Sequence, residues 1–124
     1  MRNALTLDQI HPSLHESYNS FHRDIVEEVK TAVARDQVVV VGMATNPFVK
    51  RACKALEGAG VKFSFLSYGG YMSQWKQRLA LKMWSGWPTF PQVFINGRLV
   101  GGALDVERLI QEGKLQAVLA EPRA

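Results

Sequence analysis

The sequence predicts an α/β domain: a four-stranded mixed sheet flanked by helices, with an extra helix on its N-terminal side. Three stretches carry that prediction. Gln37-Val38-Val39-Val40-Val41-Gly42 is a short continuous apolar run, as a strand buried on both faces requires. Val61 to Leu66 alternates weakly and follows a helical pattern, so it joins the first strand in parallel through a helical crossover. Gln92-Val93-Phe94-Ile95, then Asn96-Gly97, then Arg98-Leu99-Val100 spell an antiparallel hairpin, because both central residues of a type I′ turn need φ > 0.

Residues 1–20 carry Pro12, polar turn residues and few periodic apolar positions, which predicts an irregular or short-helical arm outside a domain of residues 21–120. From about Ser20, Phe21, Ile25, Val26, Val29, Ala32 and Val33 fall at helical spacing, with an end near Ala34-Arg35. His11, His15 and His22 lie in this region, two of them four apart. Pro12 interrupts the helix that would align them, and no carboxylate or cysteine stands at matching spacing, so they read as surface histidines and no metal is expected.

Met43 to Pro47 reads as a turn in which Thr45 or Asn46 caps the next helix and Pro47 takes its first position. Phe48, Val49, Ala52, Cys53 and Leu56 form that helix's apolar stripe, and Gly58 and Gly60 end it. Tyr68-Gly69-Gly70-Tyr71 is a loop. Ser73 is placed to cap a helix carrying Trp75, Leu79, Met83 and Trp84, running to Ser85-Gly86. After the hairpin, Asp105 to Gln111 is helical, Gly113 interrupts, and Leu115, Val118 and Leu119 form a last turn or helix, with Pro122 in a loose C-terminus.

The composition is that of one ordinary globular domain: 124 residues, 47% hydrophobic and 21% charged. A net charge of +4 is scattered, without the basic run that a nucleic-acid reader shows, so no nucleic acid is expected. No apolar run approaches the ~20 residues of a transmembrane helix, and the first residues lack a signal-like apolar core. With one cysteine, Cys53, there is no internal disulfide, and a cytoplasmic address is the expectation.

Trp87-Pro88-Thr89-Phe90-Pro91, a strand, Asn96-Gly97, a second strand and Gly101-Gly102 resemble the C-terminal half of glutaredoxins, most of all the monothiol class. The resemblance covers residues 37–119 and implies a thioredoxin-like fold. Locally, Pro91 cannot donate to the sheet and so belongs at the strand's first residue, as a cis bond that turns the neighbouring amide and carbonyl outward. In the family this proline is cis, and the residue before it, here Phe90, pairs through its backbone with the cysteinyl part of glutathione.

The same resemblance places the family's chemistry. A nucleophile sits at the start of the helix after the first strand, where free amides and the helix dipole stabilise a thiolate. Here Asn46 stands at the nucleophilic cysteine and Val49 at the resolving cysteine or serine, with Pro47 and Phe48 between them. Neither side chain attacks a disulfide. Cys53 lies two turns further along on the apolar stripe, either as an inert core thiol or as a thiol exposed at an interface. The implied glutathione groove is bordered by Thr45, Arg78, Phe90, Pro91, Gly102, Ala103, Leu104 and Asp105. Arg78 stands at the family's cation for the glycine carboxylate, or is a solvated helix charge. The amides of Ala103 and Leu104 would hold the γ-glutamyl carboxylate. Met43 stands where the family has a lysine and Leu104 where monothiol members have an aspartate, so only weak glutathione binding is expected. Tyr68, Tyr71 and Trp75 in the loop form either a lid or a surface for a protein or thiol-peptide partner.

Three functions follow. The first is a non-catalytic glutaredoxin-like binding module linked to redox or iron–sulfur metabolism. The second is a glutathione-dependent oxidoreductase, through Cys53 or without a protein thiol. The third is an iron–sulfur carrier of the monothiol type, which needs a substitute for the missing thiolate ligand.

Overall fold

The computed structural model describes residues 5–69 and 74–124. The arm forms two short 3-10 turns, Leu7–Gln9 and Pro12–Leu14, and a brief helix α1 (His15–Ser20). Then follow α2 (Arg23–Arg35), β1 (Val38–Gly42), α3 (Pro47–Gly58), β2 (Ser64–Ser67), α4 (Trp75–Ser85), β3 (Gln92–Ile95), β4 (Arg98–Gly101), α5 (Ala103–Gln111) and α6 (Leu115–Ala120). The sheet order is β2-β1-β3-β4, with β1 parallel to β2 and antiparallel to β3, and β4 antiparallel to β3.

The valine run explains the layering. Every residue of β1 is buried, and alternate side chains enter opposite cores. Val39 and Val41 join Ile25, Val29 and Ala32 of α2 and Ala80 and Leu81 of α4. Val38 and Val40 join Ala52 and Leu56 of α3, Val106 of α5 and Leu115 of α6. Helices cover both faces, so a continuous apolar strand is stable where an alternating one would bury polar groups.

Asn96 and Gly97 take φ of 51° and 83°, as the hairpin turn requires. The C-terminus is tied down, contrary to the expectation from Pro122. Asn96 Nδ2 donates to the carbonyls of Val118, Leu119 and Glu121, and the Ala124 amide donates to the Asn96 carbonyl at 2.9 Å. Arg123 donates to the Val33 and Asp36 carbonyls at 2.7 and 3.2 Å. The turn thus serves as an anchor for the chain end.

The apolar residues that mark α4 in the sequence do not share its inner face. Arg78, Ala80 and Leu81 are buried and Trp84 packs against the core, whereas Trp75, Leu79 and Met83 are exposed. Ser73 and Tyr71 lie outside the described residues; the residue that caps α4 is Gln74, at φ 57°. His11 and His15 serve the arm. His11 Nδ1 accepts from the Ser13 amide, and His15 Nε2 donates to the Ile10 carbonyl at 2.7 Å.

Candidate functional site: a groove at the start of α3

The site forms where β1, α3, the Phe90–Pro91 turn and the start of α5 meet. Gly42 ends β1 without a side chain because none would fit. A Cβ there would stand 2.6 Å from Val49 Cγ2 and 3.6 Å from the Pro91 Cα. This approach lets α3 and the proline turn close on one another. The Phe90–Pro91 bond is cis.

Asn46 is the N-cap of α3, and of the two residues proposed for that role it is the one used. Its Oδ1 accepts from the Phe48 amide at 2.8 Å, and Pro47 holds the first helical position. Val49 is fully buried, but Phe48, read as part of the apolar stripe, is half exposed and lines the groove instead. At the first turn of a helix that begins beyond the carboxyl end of a central strand, a stripe residue reaches past the end of the core.

The groove has a volume of about 640 Å³. It brings together Asn46, Arg78, Phe90, Pro91, Gly102, Ala103, Leu104 and Asp105, with Met43 in its wall. Thr45 is exposed on the turn and is not among its lining residues. Arg78 is buried rather than solvated, and its guanidinium donates to the Tyr68 carbonyl at 3.0 Å. It therefore ties the end of β2 to α4 while presenting positive charge to the groove. Tyr68 is itself buried, its hydroxyl donating to Glu28 at 3.0 Å, so it belongs to the core and not to a docking loop. Burial, with Glu28 adding to it, pushes its phenol far above the ordinary range.

Asp105 has a structural task. Its carboxylate accepts from the Gly102 amide at 2.9 Å, closing the first turn of α5. Gly101, at φ 112°, makes room for it, since a Cβ there would collide with the carboxylate. The Ala103 and Leu104 amides lie in the first turn of α5, where backbone N–H groups have no intrahelical acceptor, and both residues line the groove.

Sequence reasoning missed Lys82, Trp87, Pro88 and Thr89 in the lining. Lys82 was legible, since it follows Arg78 by one helical turn and so shares its face. Its ammonium lies over the Phe90 ring, 5.7 Å from the centroid. Trp87 places a buried indole Nε1 beside Gly102, with no acceptor among the described residues.

Cys53 is not among the groove-lining residues. It packs half-buried against the core shared by α3 and α5, where burial, and secondarily Glu57, pushes its thiol pKa up.

A parallel βαβ unit, an antiparallel hairpin and a groove at their junction define the thioredoxin-like class. The comparisons narrow it. The glutaredoxin family model matches residues 38–100. A glutaredoxin-like protein of Dictyostelium discoideum is 47% identical over 97 residues, covering 78% of this chain and 79% of that one. Glutaredoxin-C6 of Oryza sativa subsp. japonica is 37% identical over 97 residues, covering 78% and 87%. Wheat glutaredoxin matches in structure with a TM-score of 0.69 at 33% identity, over 79% of this chain and 92% of that one. A buckwheat glutaredoxin–glutathione complex shares the fold, with a TM-score of 0.71 at 23% identity over 81% and 91%. The chain belongs to the glutaredoxin family.

Proposed function

We propose that this glutaredoxin-like protein is a binding module that works without a catalytic thiol of its own, its groove taking glutathione or a related thiol peptide weakly, in redox or iron–sulfur metabolism. The observation that carries this reading is the pairing of Asn46 with the Phe48 amide at the head of α3, in a groove with no cysteine among its described lining residues. Thiol–disulfide exchange begins with a thiolate. An asparagine amide cannot supply one.

The groove suits a small anionic peptide only in part. Arg78 and Lys82 supply positive charge, the Ala103 and Leu104 amides a place for a carboxylate, and the Trp87 indole a donor without an acceptor among the described residues. Against these, Met43 contributes no charge and the Asp105 carboxylate is committed to Gly102. A chain with one cysteine is suited to a reducing compartment, and we propose the cytoplasm.

Titration with reduced glutathione, followed by tryptophan fluorescence because Trp87 lines the groove, tests the reading. Saturation with a Kd on the order of 1 mM is expected. No change up to about ten times that concentration would remove the peptide-groove reading.

A further inference from the structure

Away from the groove, α4 leaves an ordered apolar line on the surface. Trp75, Leu79 and Met83 are 56%, 40% and 43% exposed, and their spacing sets them along one face for about 12 Å. Met83 also lines a cleft of about 460 Å³ between α2 and α4, walled by Phe21, Val26 and Trp84. The line therefore ends in a seat large enough for a partner's apolar side chain.

The charge around it is predominantly positive. α4 contains no acid, and its Lys76 is exposed beside the line, whereas Arg78 and Lys82 line the groove. Across the cleft stand Arg23, Lys30 and Glu27, and Glu27 is paired with Lys30 at 3.5 Å. We propose that this face of α4, with the cleft, docks an amphipathic helix of a partner protein whose flanks are acidic. A helix supplies apolar anchors at one-turn intervals to match the line, one of them entering the cleft, and its carboxylates face Lys76 beside the line and Arg23 at the cleft. A second copy of this chain fits poorly, since its own α4 would set lysines against lysines. A lipid surface does not fill a concave seat. The proposal stands apart from the groove reading, because Trp75, Leu79 and Met83 do not line the groove.

The test titrates the full chain with a synthetic helix of about 18 residues, leucines on one face and glutamates on the other, followed by heteronuclear NMR. Binding with a Kd of roughly tens of micromolar is expected, weakening as salt rises. Leu79→Asp with Met83→Asp should weaken it by about tenfold or more while leaving the glutathione titration unchanged. Lys76→Glu, at an exposed position, should weaken the glutamate peptide and strengthen a version carrying lysines in place of glutamates. Absence of binding would overturn the proposal. So would equal affinity for the lysine peptide, or indifference to both sets of substitutions. Capture by phosphatidylserine vesicles in preference to the peptide, or a dimer in sedimentation that the double variant dissolves, would equally replace the acidic helix as occupant.

Discussion

Asn46 Oδ1 accepts a hydrogen bond from the Phe48 amide at 2.8 Å, so the head of α3 is closed by a neutral side chain. That amide is one of the donors that stabilise a thiolate in a catalytic member of the fold. Here the helix start is stabilised from within.

Asn46→Cys should restore a reactive thiol, because the backbone that lowers a thiol pKa is still in place. We expect the new thiol to titrate at about 7.5 or below, against ~8.5 for a free cysteine. Loss of the cap should cost about 1 kcal/mol of stability. The rate of iodoacetamide alkylation against pH, in a Cys53→Ser background, reads the first effect and urea denaturation the second. A thiol titrating near the free value would contradict a preserved site.

Cys53 itself should react slowly. Its folded pKa is raised, chiefly by burial, so at neutral pH it is less ionised than a free cysteine. The sign for stability follows: the contribution is complete below the unfolded value of ~8.5 and is lost as pH rises through the higher folded value. Alkylation in native buffer slower than in urea at the same pH confirms the direction, and equal rates contradict it.

Lys82→Ala should weaken glutathione binding by about three- to tenfold, through loss of one cation at the groove, with little change in stability. The same fluorescence titration measures it. An unchanged Kd would show that Lys82 only packs on Phe90.

Asn96→Ala should destabilise the fold by about 1.5–3 kcal/mol. The substitution removes the donor shared by three α6-side carbonyls and puts a less tolerant residue at φ 51°. Chemical denaturation checks the loss, and proteolysis near Glu121 should speed up in parallel. A change within about 0.5 kcal/mol would mean that the Ala124 backbone bond and the Arg123 contacts hold the chain end without the Asn96 side chain.

The sheet was legible because its signals are local: a valine run with no polar break, and an Asn-Gly pair that only a tight turn explains. The hairpin was legible for the same reason, and so was the cap of α3 to within Thr45 or Asn46, of which Asn46 is the one used. Burial on α4 was not. Arg78 goes inside because the Tyr68 carbonyl waits for it there, a contact made across the chain that no periodicity reveals. Trp75, Leu79 and Met83 stay outside although they are as large and apolar as the residues that go in, since Ala80, Leu81 and Trp84 fill the space beside α2. Phe48 was misplaced because a stripe read from spacing does not show where the core stops. The tethered C-terminus depends on backbone carbonyls of α6 meeting the Asn96 amide, and composition carries no trace of such a meeting.

The most direct test is reduction of hydroxyethyl disulfide by glutathione, coupled to glutathione reductase, with the wild-type chain. We expect the uncatalysed rate, unchanged by added protein. Turnover that rises with protein concentration and vanishes in Cys53→Ser would contradict a module without a working thiol.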